Sequence, residues 1–303
     1  METDSPIIKV SHVYKSYGEV KALKNFSVKV NPGQVMGILG PNGSGKTSAL
    51  GVMLGVVIPE EGEVVWSGGT KDFHKSHSVG ALLSPAKFYM NLSLTENLAI
   101  VSKLKNVTQF KTNDVLSLVG LAERSKVKFS TLTPGLRQRF GIASALVGNP
   151  DVMLFDEPTL GVDPEGAEEI RSLIISLHKS GKTIVLSSNL LSEIDQLCTH
   201  VVVLKRGRRV VNGSIGDVFW SQEKFVLAAR EMDRLQAIFS DTPMVRSCQK
   251  IEGALELLPA EGVTTSDVNS YAFENGIVLS RLEPHKSSME TRFINLMKEE
   301  VLA

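Results

Sequence analysis

The sequence predicts an α/β domain built on a largely parallel β-sheet, followed by a small α+β domain. Two observations in residues 1–213 lead to this prediction: short apolar runs alternate with longer helical patterns, and a glycine-rich loop separates one such run from the helix after it. From about residue 215 the elements become shorter and acidic residues more frequent. We therefore place a boundary there, with one domain in residues 1–213 and a second in residues 214–303.

Four apolar runs in the first domain have the length and composition of buried strands. They are residues 35–39, 79–83, 152–155 and 183–186. Helical periodicity is found in residues 46–56, 94–104, 115–120 and 164–178. Pro164 fits the first turn of the last helix, because that position needs no backbone N–H donor. The apolar residues of this helix are expected to face the core.

The second domain has weaker patterns and a different charge. Its strand candidates are residues 225–227 and 277–280, its helix candidates are residues 232–239 and 290–298, and the order of its strands stays open. Residues 214–303 hold 9 basic and 14 acidic side chains, so this part carries −5 and the rest of the chain +5. The asymmetry indicates two separate pieces, or it is an incidental property of the surface.

Composition excludes several classes of protein. Hydrophobic residues make up 42% and charged residues 22% of 303 residues, which is typical of a folded globular chain. The net charge is zero, with 33 basic and 33 acidic side chains, so we expect no nucleic-acid partner. Two cysteines with no metal-site spacing indicate a reducing compartment. No apolar run reaches the roughly 18 to 20 residues that span a bilayer.

The glycine-rich loop has the pattern of a phosphate-binding loop. Its residues are Gly40, Pro41, Asn42, Gly43, Ser44, Gly45, Lys46 and Thr47, followed by Ser48. They match G-x-x-x-x-G-K-[ST] between a strand candidate and a helix candidate. Backbone N–H groups would surround phosphate oxygens, Lys46 would reach the terminal phosphates, and the hydroxyl of Thr47 would bind Mg²⁺. The positive end of the following helix favours the same anion.

Two acids follow the strand candidate at residues 152–155. A buried strand that ends in carboxylates delivers charge to the edge of the sheet where α/β proteins bind ligands. Asp156 would hold Mg²⁺, and Glu157 could polarise an attacking water. Taken with the phosphate loop, these acids predict a site that binds phosphate groups together with Mg²⁺ and activates a water molecule.

These residues resemble the ATP-binding subunit of an ABC transporter. The run from Asp156 to Pro164 is similar to the extended Walker B motif and D-loop of that family, and residues 17–23 are similar to its A-loop. The resemblance covers residues 6–213 and implies a P-loop NTPase fold with an additional antiparallel β part and a helical subdomain at about residues 85–148. It also implies that the ring of Tyr17 stacks on adenine. A half-buried core position for Tyr17 is the alternative.

Three parts of the family pattern around the γ-phosphate are altered: the Q-loop, the switch position and the signature loop. The Q-loop glutamine aligns with Ser84, whose shorter side chain would need a bridging water. The switch histidine aligns with Asn189, which can donate a hydrogen bond but carries no positive charge. Asn189 could also cap the helix that follows. We therefore expect nucleotide binding to persist and hydrolysis to be slow.

The signature loop also departs from the family pattern. It reads Leu-Thr-Pro-Gly-Leu over residues 132–136, where the family has Leu-Ser-Gly-Gly-Gln. Thr133 keeps a hydroxyl, and Thr133 with Pro134 fits the N-cap and first turn of a helix that runs to about Val147. The resemblance implies that Thr133, Gly135 and Asp163 contact a nucleotide held by the opposite subunit. We expect this contact to be weakened but usable.

The resemblance implies a function and its partners. The chain would bind and hydrolyse ATP, pair with a second ATP-binding subunit as a homodimer or heterodimer, and drive a separate membrane-spanning permease. The second domain resembles the accessory domain of multidrug, antibiotic and sodium export systems, which favours an exporter. The chain would then be cytoplasmic and held at the inner face of the membrane by the permease. The alternative is an ATP-binding regulatory or assembly module with little or no turnover.

Overall fold

The computed structural model describes residues 5–66, 79–83, 87–107, 111–220, 223–286 and 288–298. The chain divides into two compact units, of which the first runs to Ile215 and the second begins at Gly216. No helix among the described residues is long and apolar enough to cross a membrane. Both cysteines are free thiols, and burial raises the pKa of the Cys198 thiol far above its ordinary value, with a smaller contribution from the charge of Glu193.

The first unit is built on a six-stranded sheet that contains all four predicted strands. In sequence order its strands are β3 (Val35–Leu39), β5 (Val79–Leu82), β6 (Val152–Asp156), β7 (Thr183–Ser188), β8 (His200–Lys205) and β9 (Arg208–Ser214). Their order in the sheet is β5-β6-β7-β3-β8-β9, and every pair is parallel except β8 with β9. The middle strands are buried along their whole length, as expected for parallel strands covered on both faces.

A second, antiparallel sheet belongs to the same unit. It consists of β1 (Ile8–Tyr17), β2 (Val20–Val30) and β4 (Glu61–Trp66), in the order β2-β1-β4. Its inward residues, among them Val10 and Phe26, join one core cluster with Ile38 and Leu154 of the central sheet. This sheet is the antiparallel part that the family resemblance implies.

The described residues of the first unit also form six α-helices. They are α1 (Lys46–Met53), α2 (Leu94–Leu104), α3 (Thr112–Leu118), α4 (Pro134–Leu146), α5 (Pro164–Lys179) and α6 (Leu191–Leu197). Helices α2, α3 and α4 lie between β5 and β6 in the chain, within the segment for which we predict a helical subdomain. The prediction for α1 is three residues too long, because Gly55 adopts a φ of 70° and the chain turns away.

The second unit has the β-α-β-β-α-β order of a split-βαβ sandwich, with one more helix after it. Its elements are β10 (Glu223–Ala229), α7 (Met232–Ser240), β11 (Val245–Ile251), β12 (Ala254–Pro259), α8 (Thr265–Glu274), β13 (Leu279–Lys286) and α9 (Met289–Lys298). All strand pairs are antiparallel in the order β11-β12-β10-β13. The predictions located β10, α7, β13 and α9 but missed β11, β12 and α8.

Candidate nucleotide-binding and hydrolysis site

The phosphate loop connects β3 to α1, and close packing explains its glycines. A Cβ atom on Gly40 would lie 2.4 Å from the carbonyl oxygen of Leu204 and 2.5 Å from Ser44 Oγ. Gly45 has a φ of 108°, and its Cβ would lie 2.4 Å from the carbonyl oxygen of Ala22. The neighbouring segments therefore leave no room for a side chain at either position.

Lys46 lies at the centre of this loop. Its ammonium donates hydrogen bonds to the carbonyl oxygens of Gly40, at 2.9 Å, and Pro41, at 3.3 Å. It also forms an ion pair with Glu157, with Nζ 3.2 Å from Oε1. Lys46 is 5% exposed, so its charge is held inside the loop where the terminal phosphates of a nucleotide would lie.

Thr47 and Asp156 bring two oxygen ligands together. The Thr47 hydroxyl lies 2.9 Å from Asp156 Oδ2 and 3.2 Å from Oδ1. A second hydroxyl, from Ser187, donates to Asp156 Oδ1 at 2.6 Å and orients the carboxylate. Mg²⁺ prefers oxygen ligands of this kind, one or two from the protein and the rest from water and phosphate. The donor set therefore fits the ion.

Glu157 is held in an unusual backbone conformation. Its φ is 46°, a region that residues other than glycine adopt rarely. Two hydrogen bonds hold it there: its N–H donates to Ser187 Oγ at 2.9 Å, and its carbonyl oxygen accepts from Gln138 Nε2 at 3.3 Å. Strain of this type persists at functional sites when surrounding bonds determine the geometry. Here it directs the carboxylate of Glu157 to Lys46.

These side chains line one open cleft of about 490 Å³. Its lining includes Asn42, Gly43, Gly45, Lys46, Thr47, Ser48, Asp156 and Glu157. On one side it is bounded by Val20, which pairs with Tyr17 across the hairpin between β1 and β2. The structure thus brings the predicted phosphate loop and both predicted acids into a single site.

Comparisons with known proteins decide the family. The family model described as ABC transporter matches residues 23–160. The bacitracin transport ATP-binding protein BcrA of Bacillus licheniformis is 30% identical over 301 residues, which cover 97% of this chain and 98% of BcrA. This chain belongs to the ABC transporter family. It is an ATP-binding member of that family, whose known activity is ATP hydrolysis.

Two further relatives agree with this assignment. The lantibiotic transport ATP-binding protein SrtF of Streptococcus pyogenes is 30% identical over 205 residues, which cover 68% of this chain and 90% of SrtF. The solved dimer of the ATP-binding cassette MJ0796, bound to ADP and Pi, has a TM-score of 0.63 and 26% identity. It matches 69% of this chain and 98% of that cassette.

The departures from the ABC pattern have different positions in the structure. Asn189 is exposed beside the phosphate loop, and its Nδ2 donates to Asn42 Oδ1 at 3.4 Å. It does not cap α6, because the N-cap of that helix is Leu190 with no side-chain hydrogen bond. The alternative role that we considered for Asn189 is therefore wrong. Ser84 lies outside the described residues, so its Q-loop role remains a prediction.

Tyr17 is a surface residue at the end of β1. It is 50% exposed and lies outside the core cluster of this unit, which argues against the alternative that it belongs to the core. The ammonium of Lys15 is 5.6 Å from the centre of its ring. In the strand register Tyr17 is the partner of Val20, a residue that lines the cleft. Its contact with adenine remains a prediction.

The signature and D-loop residues meet at two helix N-termini. Helix α4 begins at Pro134 with Thr133 as its N-cap, whose hydroxyl accepts a hydrogen bond from the N–H of Leu136 at 3.4 Å. Helix α5 begins at Pro164 with Asp163 as its N-cap. A Cβ on Gly135 would lie 3.7 Å from Asp163 Oδ1, so the two helix starts are adjacent. The predicted N-cap and first turn of α4 are confirmed.

Some residues of the site were missed by the sequence analysis. Ser187 bridges Asp156 and Glu157, and Gln138 anchors the carbonyl of Glu157. Ser187 belongs to the serine pair that precedes the switch position, and this pairing at a strand end is the signal that could have identified it. Gln138 shows no such signal, because its contact depends on how α4 lies against the residue that follows β6.

Proposed function

We propose that this chain binds ATP with Mg²⁺ in the cleft, hydrolyses it slowly and thereby drives a separate membrane-spanning permease of the exporter type. The observation that carries the proposal is the arrangement around Lys46. Its ammonium is 3.2 Å from the carboxylate of Glu157, while Thr47 and Asp156 lie hydrogen-bonded beside it. The cation for phosphate, the oxygens for Mg²⁺ and the candidate base are thus in one cleft.

Each side chain of the cleft has a distinct task in this proposal. Lys46 and the backbone N–H groups of the phosphate loop bind the phosphates, helped by the positive end of α1. Thr47 and Asp156 hold Mg²⁺, which supplies positive charge to the phosphoryl oxygens. Glu157 accepts a proton from water as that water attacks, or orients it. Asn189 donates one neutral hydrogen bond to the γ-phosphate.

Slow turnover follows from the side chain at the switch position. Asparagine offers an N–H donor, but unlike histidine it cannot become positively charged. Complete loss of a transition-state donor in a preorganised site costs on the order of 10² to 10³ in rate, so loss of the charge alone, with the donor kept, should cost less. The contact between Asn189 and Asn42 supports a location beside the nucleotide. Binding, which depends on the phosphate loop, would be preserved.

A second ATP-binding subunit completes the site in this proposal. The adjacent starts of α4 and α5 present Thr133 and Asp163 on the surface, where the positive ends of both helices could face a nucleotide held by another subunit. The solved dimer of a related cassette supports this pairing. A homodimer and a heterodimer both fit this proposal. In a heterodimer, a partner with an intact signature loop could compensate for Pro134.

The exporter assignment is supported by a relative whose similarity extends over both units of this chain. BcrA, named for bacitracin transport, matches this chain through the second unit as well as the first. The permease would hold the chain at the inner face of the membrane. The neutral side chain at the switch position favours one alternative, a module that binds ATP and pairs with a partner but has little turnover.

ATP hydrolysis by the purified full-length chain tests the proposal. We would compare the wild-type chain with Glu157→Gln in the presence and absence of Mg²⁺, after confirming that both bind nucleotide. Mg²⁺-dependent turnover that disappears in the variant is expected. Tight binding without turnover in the wild-type chain would favour the module. Co-purification of an integral membrane protein with the tagged chain would test the permease separately.

A further inference from the structure

Glu193 is a buried carboxylate that does not line the nucleotide cleft. It lies in the first turn of α6 and is 3% exposed. Carboxylates are rarely buried to this extent unless hydrogen bonds or charges compensate for the loss of water. Both of its oxygens are hydrogen-bonded here: Oε1 accepts from the Thr159 hydroxyl, and Oε2 accepts from the Ser188 hydroxyl at 2.5 Å.

The two hydroxyls come from the two segments that carry the hydrolysis site. Thr159 lies between Glu157, the candidate base, and Asp163, at the start of α5. Ser188 is the last residue of β7 and directly precedes Asn189. Its hydroxyl oxygen also accepts a hydrogen bond from the N–H of Leu190 at 3.0 Å. One carboxylate therefore joins the segment after β6 to the segment after β7.

This connection lies where the sheet itself no longer joins the two segments. Strands β6 and β7 are paired in parallel up to Asp156 and Ser187, and the Ser187 hydroxyl donates to Asp156 and accepts from the N–H of Glu157. The bonds of Glu193 to Thr159 and Ser188 add a second connection farther from the sheet.

We propose that Glu193 is a positioning residue for ATP hydrolysis, which holds residues 157–163 and residues 188–190 as one unit. The inference rests on the proposed function, because it concerns the hydrolysis step at the same site. The two hydroxyls that Glu193 binds lie outside the phosphate loop. Loss of its charge should therefore reduce turnover without weakening nucleotide binding. If Glu193 only stabilised α6, its replacement would lower the melting temperature and would not reduce kcat selectively relative to KM.

The test compares Glu193→Gln with Asp195→Asn in the full-length chain. Asp195 lies on the same helix but is exposed, so its variant removes the same charge without breaking this connection. We expect kcat of Glu193→Gln to fall about tenfold to a hundredfold, as when a reacting group is displaced by up to about 1 Å. Its affinity for ATP and its melting temperature should stay close to those of the wild-type chain. Asp195→Asn should match the wild-type chain in every measurement.

A second pair of variants tests the connection from its other end. Thr159→Val keeps the shape of the side chain but removes the hydroxyl, whereas Thr159→Ser keeps the hydroxyl. The valine variant should lose turnover to the same extent as Glu193→Gln, and the serine variant should retain it. This pair also serves if Glu193→Gln does not fold. Equal turnover of the valine and serine variants would overturn the inference.

Hydrogen exchange separates this inference from the proposed function, because it requires no turnover. In Glu193→Gln, amide exchange should accelerate together in residues 157–163 and residues 188–190, while residues 40–47 keep the wild-type rate. Acceleration confined to α6 would overturn the inference even if the wild-type chain hydrolyses ATP. Joint acceleration in both segments would support the inference even if the wild-type chain has no measurable turnover. The absence of turnover would then count only against the proposed function.

Discussion

Glu157 Oε1 lies 3.2 Å from Lys46 Nζ, so the candidate base and the phosphate-binding cation form an ion pair. Their side chains are 16% and 4% exposed, which means that water screens the attraction only weakly. The γ-phosphate of ATP and the Glu157 carboxylate are therefore expected to compete for the same ammonium. This competition has a measurable consequence for nucleotide binding.

The first prediction is that Glu157→Gln binds ATP more tightly than the wild-type chain. Removal of the carboxylate charge frees Lys46 for phosphate and removes a repulsion from the site. We expect an increase in affinity of about fivefold, corresponding to roughly 1 kcal/mol for one partly buried charged hydrogen bond. Titration with a fluorescent ATP analogue measures it. Glu165→Gln, an exposed residue of α5, is the control, and weaker binding by Glu157→Gln would contradict the competition.

A second prediction concerns Gly40. Its Cβ would lie 2.4 Å from the backbone oxygen of Leu204, an atom that cannot move without distorting β8. Gly40→Ala should therefore displace the phosphate loop and reduce ATP affinity at least about tenfold, the effect of roughly 1.4 kcal/mol. The control is Gly253→Ala, at a turn of the second unit where the added Cβ meets open space and the φ of 69° strains the backbone only locally. Equal affinity in both variants would show that the close approach at Gly40 is not required.

The third prediction concerns the switch position. Asn189→His should raise kcat about tenfold to a hundredfold, because an imidazole can carry positive charge to the γ-phosphate. ATP affinity should change little, since Lys46 and the loop backbone are unaltered. Single-turnover hydrolysis at several pH values is the measurement. With an ordinary pKa of about 6.5, the added histidine should give its largest gain below neutral pH. A gain below twofold would show that Asn189 does not limit the rate.

The elements that could be predicted from the sequence share a physical property. Strands β3, β6 and β7 are buried on both faces, so an unbroken apolar run is enough to identify them. The phosphate loop is equally visible, because its residue types stand at fixed spacing in one continuous segment. The candidate acids Asp156 and Glu157 follow such a strand directly. Local sequence thus predicts the parts of the site that one strand or loop supplies.

Contacts between distant segments could not be predicted in the same way. The bonds from Gln138 to Glu157, and from Glu193 to Thr159 and Ser188, depend on how helices pack against strand ends. Strand β11 is mostly exposed and mixes polar with apolar residues, and tertiary pairing decides whether such a run becomes a strand. Helix α8 is different, because Thr264 and Asp267 have the spacing of a capping box and could have revealed it.

A fourth prediction concerns this capping box. The Thr264 hydroxyl accepts from the N–H of Asp267 at 3.3 Å, and the Asp267 carboxylate accepts from the N–H of Thr264 at 2.8 Å. Thr264→Ala should destabilise α8 by about 1 kcal/mol. Hydrogen exchange of the α8 amides in the full-length chain measures this, and Thr265→Ala, one residue inside the helix, is the control. Unchanged exchange in Thr264→Ala would contradict the cap.

The capping box of Thr264 and Asp267 also predicts how the stability of α8 changes with pH. Hydrogen bonds from the hydroxyl and the backbone N–H of Thr264 hold the pKa of Asp267 below its ordinary value of 3.8. A carboxyl whose pKa is lower in the folded chain contributes stability above its ordinary pKa and loses it as pH falls toward the folded value. Protection of α8 in the wild-type chain should therefore exceed that in Asp267→Asn at neutral pH. The difference should shrink below about pH 4, because the wild-type carboxyl then becomes neutral as well. A difference that stays constant down to pH 2.5 would show that the charge of Asp267 does not support the helix.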